Sequence, residues 1–222
     1  MTRLPAAQRR EQLLDTAVNL FAEKGFAGAT TSELAKAAGV TEPIIYRHFK
    51  SKKNLFISVI ERTSDLTLEM WERQLATAKD PAQRLRRLIG ANPMVSEQGR
   101  GMYRVVVQAM MEIEDPDVLK AIRDHIIRIH EFVTHEIVLA QQEGQVSKRF
   151  SAEISAWLLL HQGLGFGILA PLNIPHHAHD DSGVRVRDVI AELMLGDRAK
   201  HLLDERLRKT MERGEESGHQ AE

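Results

Sequence analysis

Residues 30–49, TTSELAKAAGVTEPIIYRHF, decide how this chain is read. Thr30 and Glu33 stand three apart, the spacing at which a hydroxyl caps a helix and a carboxylate returns to the N–H of the cap. A helix therefore starts there, turns Leu34, Ala35 and Ala38 inward and stops at Gly39 after about two turns. Thr41 is placed to cap a second short helix, with Pro43 in its first turn, where a missing N–H costs little. Ile45 and Phe49, four apart, make the inner face of that helix. Its remaining side chains, Thr41, Glu42, Ile44, Tyr46, Arg47 and His48, are left to meet a partner or solvent.

Working outward from this stretch, Leu13, Ala17, Leu20 and Phe21 recur with helical period, which predicts an amphipathic helix over about residues 7–24 that Gly25 ends. Ser51 caps a fourth helix, expected to run to the stop at Asp80-Pro81. Helical pattern then continues near 82–92, 100–114, 116–143, 151–170, 184–195 and 198–213, punctuated by prolines and glycines such as Pro93, Pro116, Gly144, Pro171 and Gly196. Only RVVVQ, residues 104–108, approaches a strand pattern, and it sits inside a longer helical frame. The fold class is all-α. Residues 172–183, LNIPHHAHDDSG, read as a polar loop, and the tail from Gly214 is expected to fray.

The formal net charge of −1 is unevenly spread. Residues 1–56 carry nine Lys or Arg against five Asp or Glu, and the remaining 166 residues carry 21 against 26. A basic module attached to an acidic one fits nucleic-acid contact by the first part. The absence of cysteine excludes disulfides, thiolate metal sites and thiol nucleophiles. No signal-peptide core opens the chain and no run of about 18 apolar residues suggests a membrane helix, so a cytoplasmic protein without membrane contact is expected.

The two short helices joined at Ala38-Gly39-Val40 have the length and turn chemistry of a helix-turn-helix, whose second helix enters the DNA major groove. The run TTSELAKAAGVTEPIIYRHFKSKKNLF resembles the DNA-binding signature of TetR-family transcriptional regulators, a resemblance that covers residues 8–57. It is carried above all by Thr31, Ala35, Ala38-Gly39-Val40, Tyr46, Phe49, Lys52 and Leu55-Phe56. Beyond residue 57 it is one of plan only.

This resemblance implies an all-α homodimer with a DNA-binding domain at 1–56, a helical ligand-binding and dimerisation domain at 57–213 and a flexible tail at 214–222. The helices near 151–170 and 184–195 would pair across the dimer, with Gly163, Gly165 and Gly167 allowing close approach. Carried over by position, Thr31, Tyr46, His48 and Lys52 fall where such proteins contact phosphates. Thr41, Glu42, Ile44 and Arg47 fall where base edges are read, and Lys36 or the arm residues Arg3, Arg9 and Arg10 add possible groove contacts. Side-chain chemistry agrees: Tyr and His each offer a polar tip and Lys a point charge, whereas the Glu42 carboxylate can accept only from cytosine N4.

A regulator of this plan responds to a small, largely apolar effector, because a ligand shifts an equilibrium only through its differential affinity for two states. Candidate lining residues are Met70, Trp71, Met94, Tyr103, Val107, Met110, Met111, Ile126, His130, Trp157, His161 and Phe166, large and apolar or carrying a single polar tip. The leading expectation is a homodimeric repressor released by that effector from a pseudo-palindromic double-stranded DNA operator. A ligand-binding or interaction protein of the same fold without sequence-specific DNA binding is the alternative.

No enzyme constellation emerges, and no cofactor is implied. HEFVTH, residues 130–135, separates its histidines by five positions, so about 140° of helix lies between them and they cannot chelate one ion as an i, i+4 pair does. HHAHDD, residues 176–181, offers metal-binding side chains in a Pro-bounded loop and leaves a metal-dependent hydrolase as a distant alternative. GLGFG, residues 163–167, follows no strand and reads as helix packing.

Overall fold

The capping chemistry of the quoted stretch is present in the fold. In a computed structural model, which describes residues 4–196, the Thr30 hydroxyl accepts from the Glu33 N–H while the Glu33 carboxylate accepts from the Thr30 N–H, and α2 spans Thr31–Ala37. Gly39 closes the turn at φ +64°, a left-handed conformation that a side chain disfavours. The third helix, α3, covers Glu42–His48.

Thr41 corrects one expectation. It has the extended backbone of a cap, yet its side chain makes no capping bond. Pro43 has no N–H to offer, and the Ile44 N–H is taken by the carbonyl of Thr41 itself at 2.9 Å. The first helix, α1 (Ala6–Gly28), also differs from expectation. Gly25, at φ +72°, kinks the helix rather than ending it, and helical turns continue to Gly28.

Ser51 caps α4 (Lys52–Leu75), its Oγ 3.0 Å from the Asn54 N–H. This helix stops five residues short of Asp80, because Asp80 itself caps α5 (Pro81–Gly90) by accepting from the Gln83 N–H at 2.8 Å. The carbonyls freed at the end of α4 are taken by guanidinium groups of α5: Arg84 donates to Leu75 O and Arg87 to Gln74 O. A 3-10 turn at Pro93–Val95 precedes α6 (Glu97–Ala109), and α7 (Pro116–Gln142), α8 (Ala152–Leu169) and α9 (Val186–Leu195) follow. The helix expected at 198–213 and the tail from 214 lie outside the described residues. No strand is found among those described, and an isolated bridge between His179 and Arg185 closes the polar loop.

The chain divides into two compact units, one of residues to Glu69 together with Pro93–Ile129, the other beginning with Met70–Asn92 and resuming at His130. In the first, α1 packs against α6 and α2, and α2 against α3. Leu13, Leu14, Phe21, Leu34, Ile45, Phe49, Leu55, Phe56, Val105 and Ile122 share one core. Phe21, Phe26 and Phe56 meet within it, with Phe56 edge-on to Phe21 at 5.1 Å between centroids. Each such ring removes an area from water that is worth roughly 2–3 kcal/mol, which lets helices of seven residues stand without cores of their own.

In the second unit, α5 packs against α9. The fully buried Glu136 carboxylate takes two bonds from the Arg84 guanidinium, at 2.6 and 2.7 Å. Here α8 is apolar on every side. Ala152, Ala156 and Leu160 are buried, while Ile154, Leu158, Ile168 and Leu169 face outward. The segment Ala152–Leu172 is long and apolar enough to cross a membrane by length and composition, with 22% of it buried, which corrects the expectation that no such run exists.

Candidate nucleic-acid interface

The turn and α3 present one continuous face. Thr41, Tyr46 and Arg47 are exposed, Glu42, Ile44 and His48 are half-buried, and Ile45 and Phe49 point into the core. Pro43 lies in the first turn with Glu42, and Arg47 and His48 lie in the last, so each charge stands at the helix end where the dipole favours its sign. Beside this helix, Leu4, Ala6 and Arg9 of the amino terminus join Gly39, Val40, Thr41, Ile44, Arg47 and His48 around a concave surface of about 570 Å³. Arg47 has no hydrogen bond or ion pair to another described residue, so its guanidinium is available to a ligand. Lys36 is exposed in the last turn of α2.

Other basic side chains near α3 are committed internally. Arg10 stacks over the Phe49 ring at 5.1 Å, and Arg9 bonds Gln12. Lys52, where the family resemblance implies a phosphate contact, turns back on α1. Its ammonium donates to Phe26 O at 2.8 Å and Ala29 O at 2.9 Å and lies 4.5 Å over the Phe26 ring. Thr31 stands at the start of α2 and donates to the Glu42 carboxylate at 2.9 Å, with the Tyr46 hydroxyl 3.3 Å away. Glu42 therefore leans on α2 and not on open solvent.

Residues expected around an effector fall in both units. Met94, Tyr103, Val107, Met110, Met111 and Ile126 belong to the first, and Met70, Trp71, His130, Trp157, His161 and Phe166 to the second. Met110 and Ile126 pack against the core that also holds α1–α3. Met94, Tyr103 and Trp71 are buried, whereas Met111 is 83% exposed. Trp71 donates through its ring N–H to Ala91 O at 2.8 Å and packs against Phe132. His130 stacks on Trp157 at 4.4 Å, with its Nε2 3.0 Å from Glu153 O, and Phe166 stacks on His177 at 4.9 Å.

Sequence reasoning passed over a buried polar group in the first unit. Thr63, Ser64 and Thr67 of α4 and His125 of α7 are all buried. Ser64 Oγ lies 2.6 Å from His125 Nδ1, and the Thr67 hydroxyl donates to Tyr103 Oη at 3.3 Å. Burial pushes the Tyr103 hydroxyl up to about 12. Burial, and then the Arg128 charge, push His125 down to about 4, so its ring is neutral. The available signal was three hydroxyl residues at helical spacing on an otherwise apolar face of α4.

The polar loop holds no metal cage. His176 Nδ1 and Asp181 Oδ1 lie 3.4 Å apart and exposed, while Asp180 is used by Ser182 and the Val184 N–H, and no group of three ligating side chains gathers among the described residues.

Comparison with known proteins places this geometry. The family model described as bacterial regulatory proteins, tetR family, matches residues 13–59, which hold the helix-turn-helix. The transcriptional activator FasR of Mycolicibacterium smegmatis is 36% identical over 106 residues, a match that spans 48% of each chain. The transcriptional regulator UidR of Escherichia coli K12 is 26% identical over 181 residues, 80% of this chain and 88% of that one. A solved structure, a regulator from Saccharomonospora viridis in complex with choline, shares the fold with a TM-score of 0.70 at 22% identity, over 88% of this chain and 97% of that chain. Both relatives are described as transcriptional regulators, and the chain is similar to the TetR family of bacterial regulatory proteins through the segment that holds its helix-turn-helix.

Proposed function

We propose that this regulator is a homodimeric repressor in the cytoplasm, released from a pseudo-palindromic operator by a small, largely apolar effector. The observation that carries DNA reading is the face of α3, where Arg47, without a partner among the described residues, and an exposed Thr41 border the concave surface shared with Arg9. Arg47, Ile44 and Thr41 are assigned to base edges, and Tyr46, His48 and Thr31 to phosphates, with Lys36 at the margin. Lys52 is assigned a supporting part, because its donors already serve the end of α1.

Two outward stripes support the dimer. On α8 these are Ile154, Leu158, Ile168 and Leu169, and on α9 Val186, Val189 and Leu193. Both lie in the second unit, and a second copy of the same helices would cover them, which an isologous interface permits. Gly165 has nothing within 4 Å of the position a Cβ would take, leaving room for such a copy. The same pairing accounts for the apolar length of Ala152–Leu172 without a membrane. The effector is assigned to soft apolar and aromatic side chains of the second unit, such as Trp71, Trp157 and Phe166.

Fluorescence anisotropy of the purified protein on duplexes from around its own gene, at two salt concentrations and against a scrambled duplex, tests the proposal. Tight binding to one fragment that weakens steeply with salt is expected, since neutralised phosphates release counterions. Binding no better than to the scrambled duplex on every fragment tiling that region would overturn it.

A further inference from the structure

Counting hydroxyl protons at the foot of α3 leads beyond the assignment of contacts. An ionised carboxylate only accepts, so the single proton of the Thr31 hydroxyl goes to Glu42, 2.9 Å away. Thr31 then has no proton left for Tyr46, and across their 3.3 Å contact Tyr46 must be the donor. The result is a directed relay, Tyr46 O–H to Thr31 O–H to the Glu42 carboxylate, in which each bond polarises the next. Both hydroxyls that the DNA-binding reading sends to phosphate are therefore spent inside the protein. Tyr46 is 49% exposed, so the relay lies at the surface where a DNA strand would arrive.

We infer that Glu42 is a built-in stand-in for a backbone phosphate: its carboxylate holds the Thr31 proton in the free protein, which leaves the Thr31 oxygen to hold the Tyr46 proton, and it must be displaced before a DNA phosphate can use both donors. This rests on the reading of α3 as the DNA-contacting helix. Glu42 then lowers affinity for every duplex alike and reads no base, so weak non-specific complexes are penalised and only a site with enough other contacts, such as those of Arg47, holds the protein. The occupant that displaces it is a phosphodiester oxygen, which accepts the Thr31 proton in its place and the Tyr46 proton that Thr31 then releases.

The test is a set of variants on a duplex that the wild type binds and on a scrambled one, with folding checked by circular dichroism. Glu42→Ala removes both the charge and the acceptor, while Glu42→Asp keeps the charge on a side chain too short to hold Thr31. Both should bind about fivefold to tenfold more tightly on both duplexes, the worth of one hydrogen bond no longer broken on binding. In a Thr31→Val background, which has no hydroxyl to spend, Glu42→Asp should change affinity by less than about twofold. Tightening by Glu42→Ala but not by Glu42→Asp would mean simple charge repulsion and would overturn the inference. Loss of affinity confined to one duplex would make Glu42 a base reader and overturn it as well. If neither the wild type nor any variant binds DNA at low salt, it is the DNA-binding reading that fails, and this inference falls with it.

Discussion

The ammonium of Lys52 lies 2.8 Å from the carbonyl oxygen of Phe26 and 4.5 Å above the same residue's ring. A residue at a position expected to hold phosphate thus ties the start of α4 to the kinked end of α1, where carbonyls lack helical partners. Lys52→Ala is expected to cost about 1.5–3 kcal/mol of stability, the range for a hydrogen bond from a charged donor. Denaturant unfolding measures this, and the salt dependence of DNA affinity should keep its slope. A slope lower by about one with unchanged stability would instead make Lys52 a phosphate contact.

Arg47 is the opposite case, exposed and without a described partner. Arg47→Ala should leave the unfolding midpoint unchanged and alter which base pairs are preferred, at about 1–3 kcal/mol per discriminated pair. Selection of bound duplexes from a randomised pool checks it. Uniform weakening across the pool would reassign Arg47 to the backbone.

Acid should destabilise the first unit through His125. Its folded value, pushed down to about 4 by burial and by Arg128, lies below the ordinary value of 6.5, so the unfolded chain takes up a proton that the folded one refuses. The stability of a neutral His125 is therefore complete above about pH 6.5 and lost as pH falls toward 4, by about 3 kcal/mol in all. His125→Asn, which can still bond Ser64, should flatten the stability curve between pH 7 and 4 in urea titrations.

In the second unit the Arg84–Glu136 pair joins α5 to α7, and the Glu136 side chain is 2% exposed against 30% for Arg84. Removing the arginine strands a buried charge, whereas removing the glutamate leaves a guanidinium that can reach water. Arg84→Met is expected to cost about 3 kcal/mol and Glu136→Gln less. Thermal unfolding of the two variants gives the order, and equal losses would mean that water reaches Glu136.

Leu193 is 74% exposed on α9, in line with Val186 and Val189. Leu193→Glu should convert a dimeric mass to a monomeric one in light scattering and lower operator affinity by at least tenfold, because two half-sites then bind independently. A wild-type monomer at micromolar concentration would remove the dimer from the proposal.

Much of this protein is settled by the sequence on its own. Helix starts are local chemistry: Thr30 with Glu33, Ser51 and Ser151 each lie within three residues of the N–H they cap, so the all-α class and the helix-turn-helix could be read directly. Thr41 shows where this locality stops, since its capping bond is lost to the neighbouring Pro43 and to its own carbonyl. Tertiary structure decided what each polar side chain does with its donors. Lys52 and Phe26 are 26 residues apart, Ser64 and His125 61, Thr31 and Glu42 11. No periodicity encodes such pairings, because they exist only when packing brings donor and acceptor atoms from separate parts of the chain within about 3 Å of one another. The sequence therefore determined which residues could hold a phosphate, a base edge or a buried proton, and packing decided which of them are already taken.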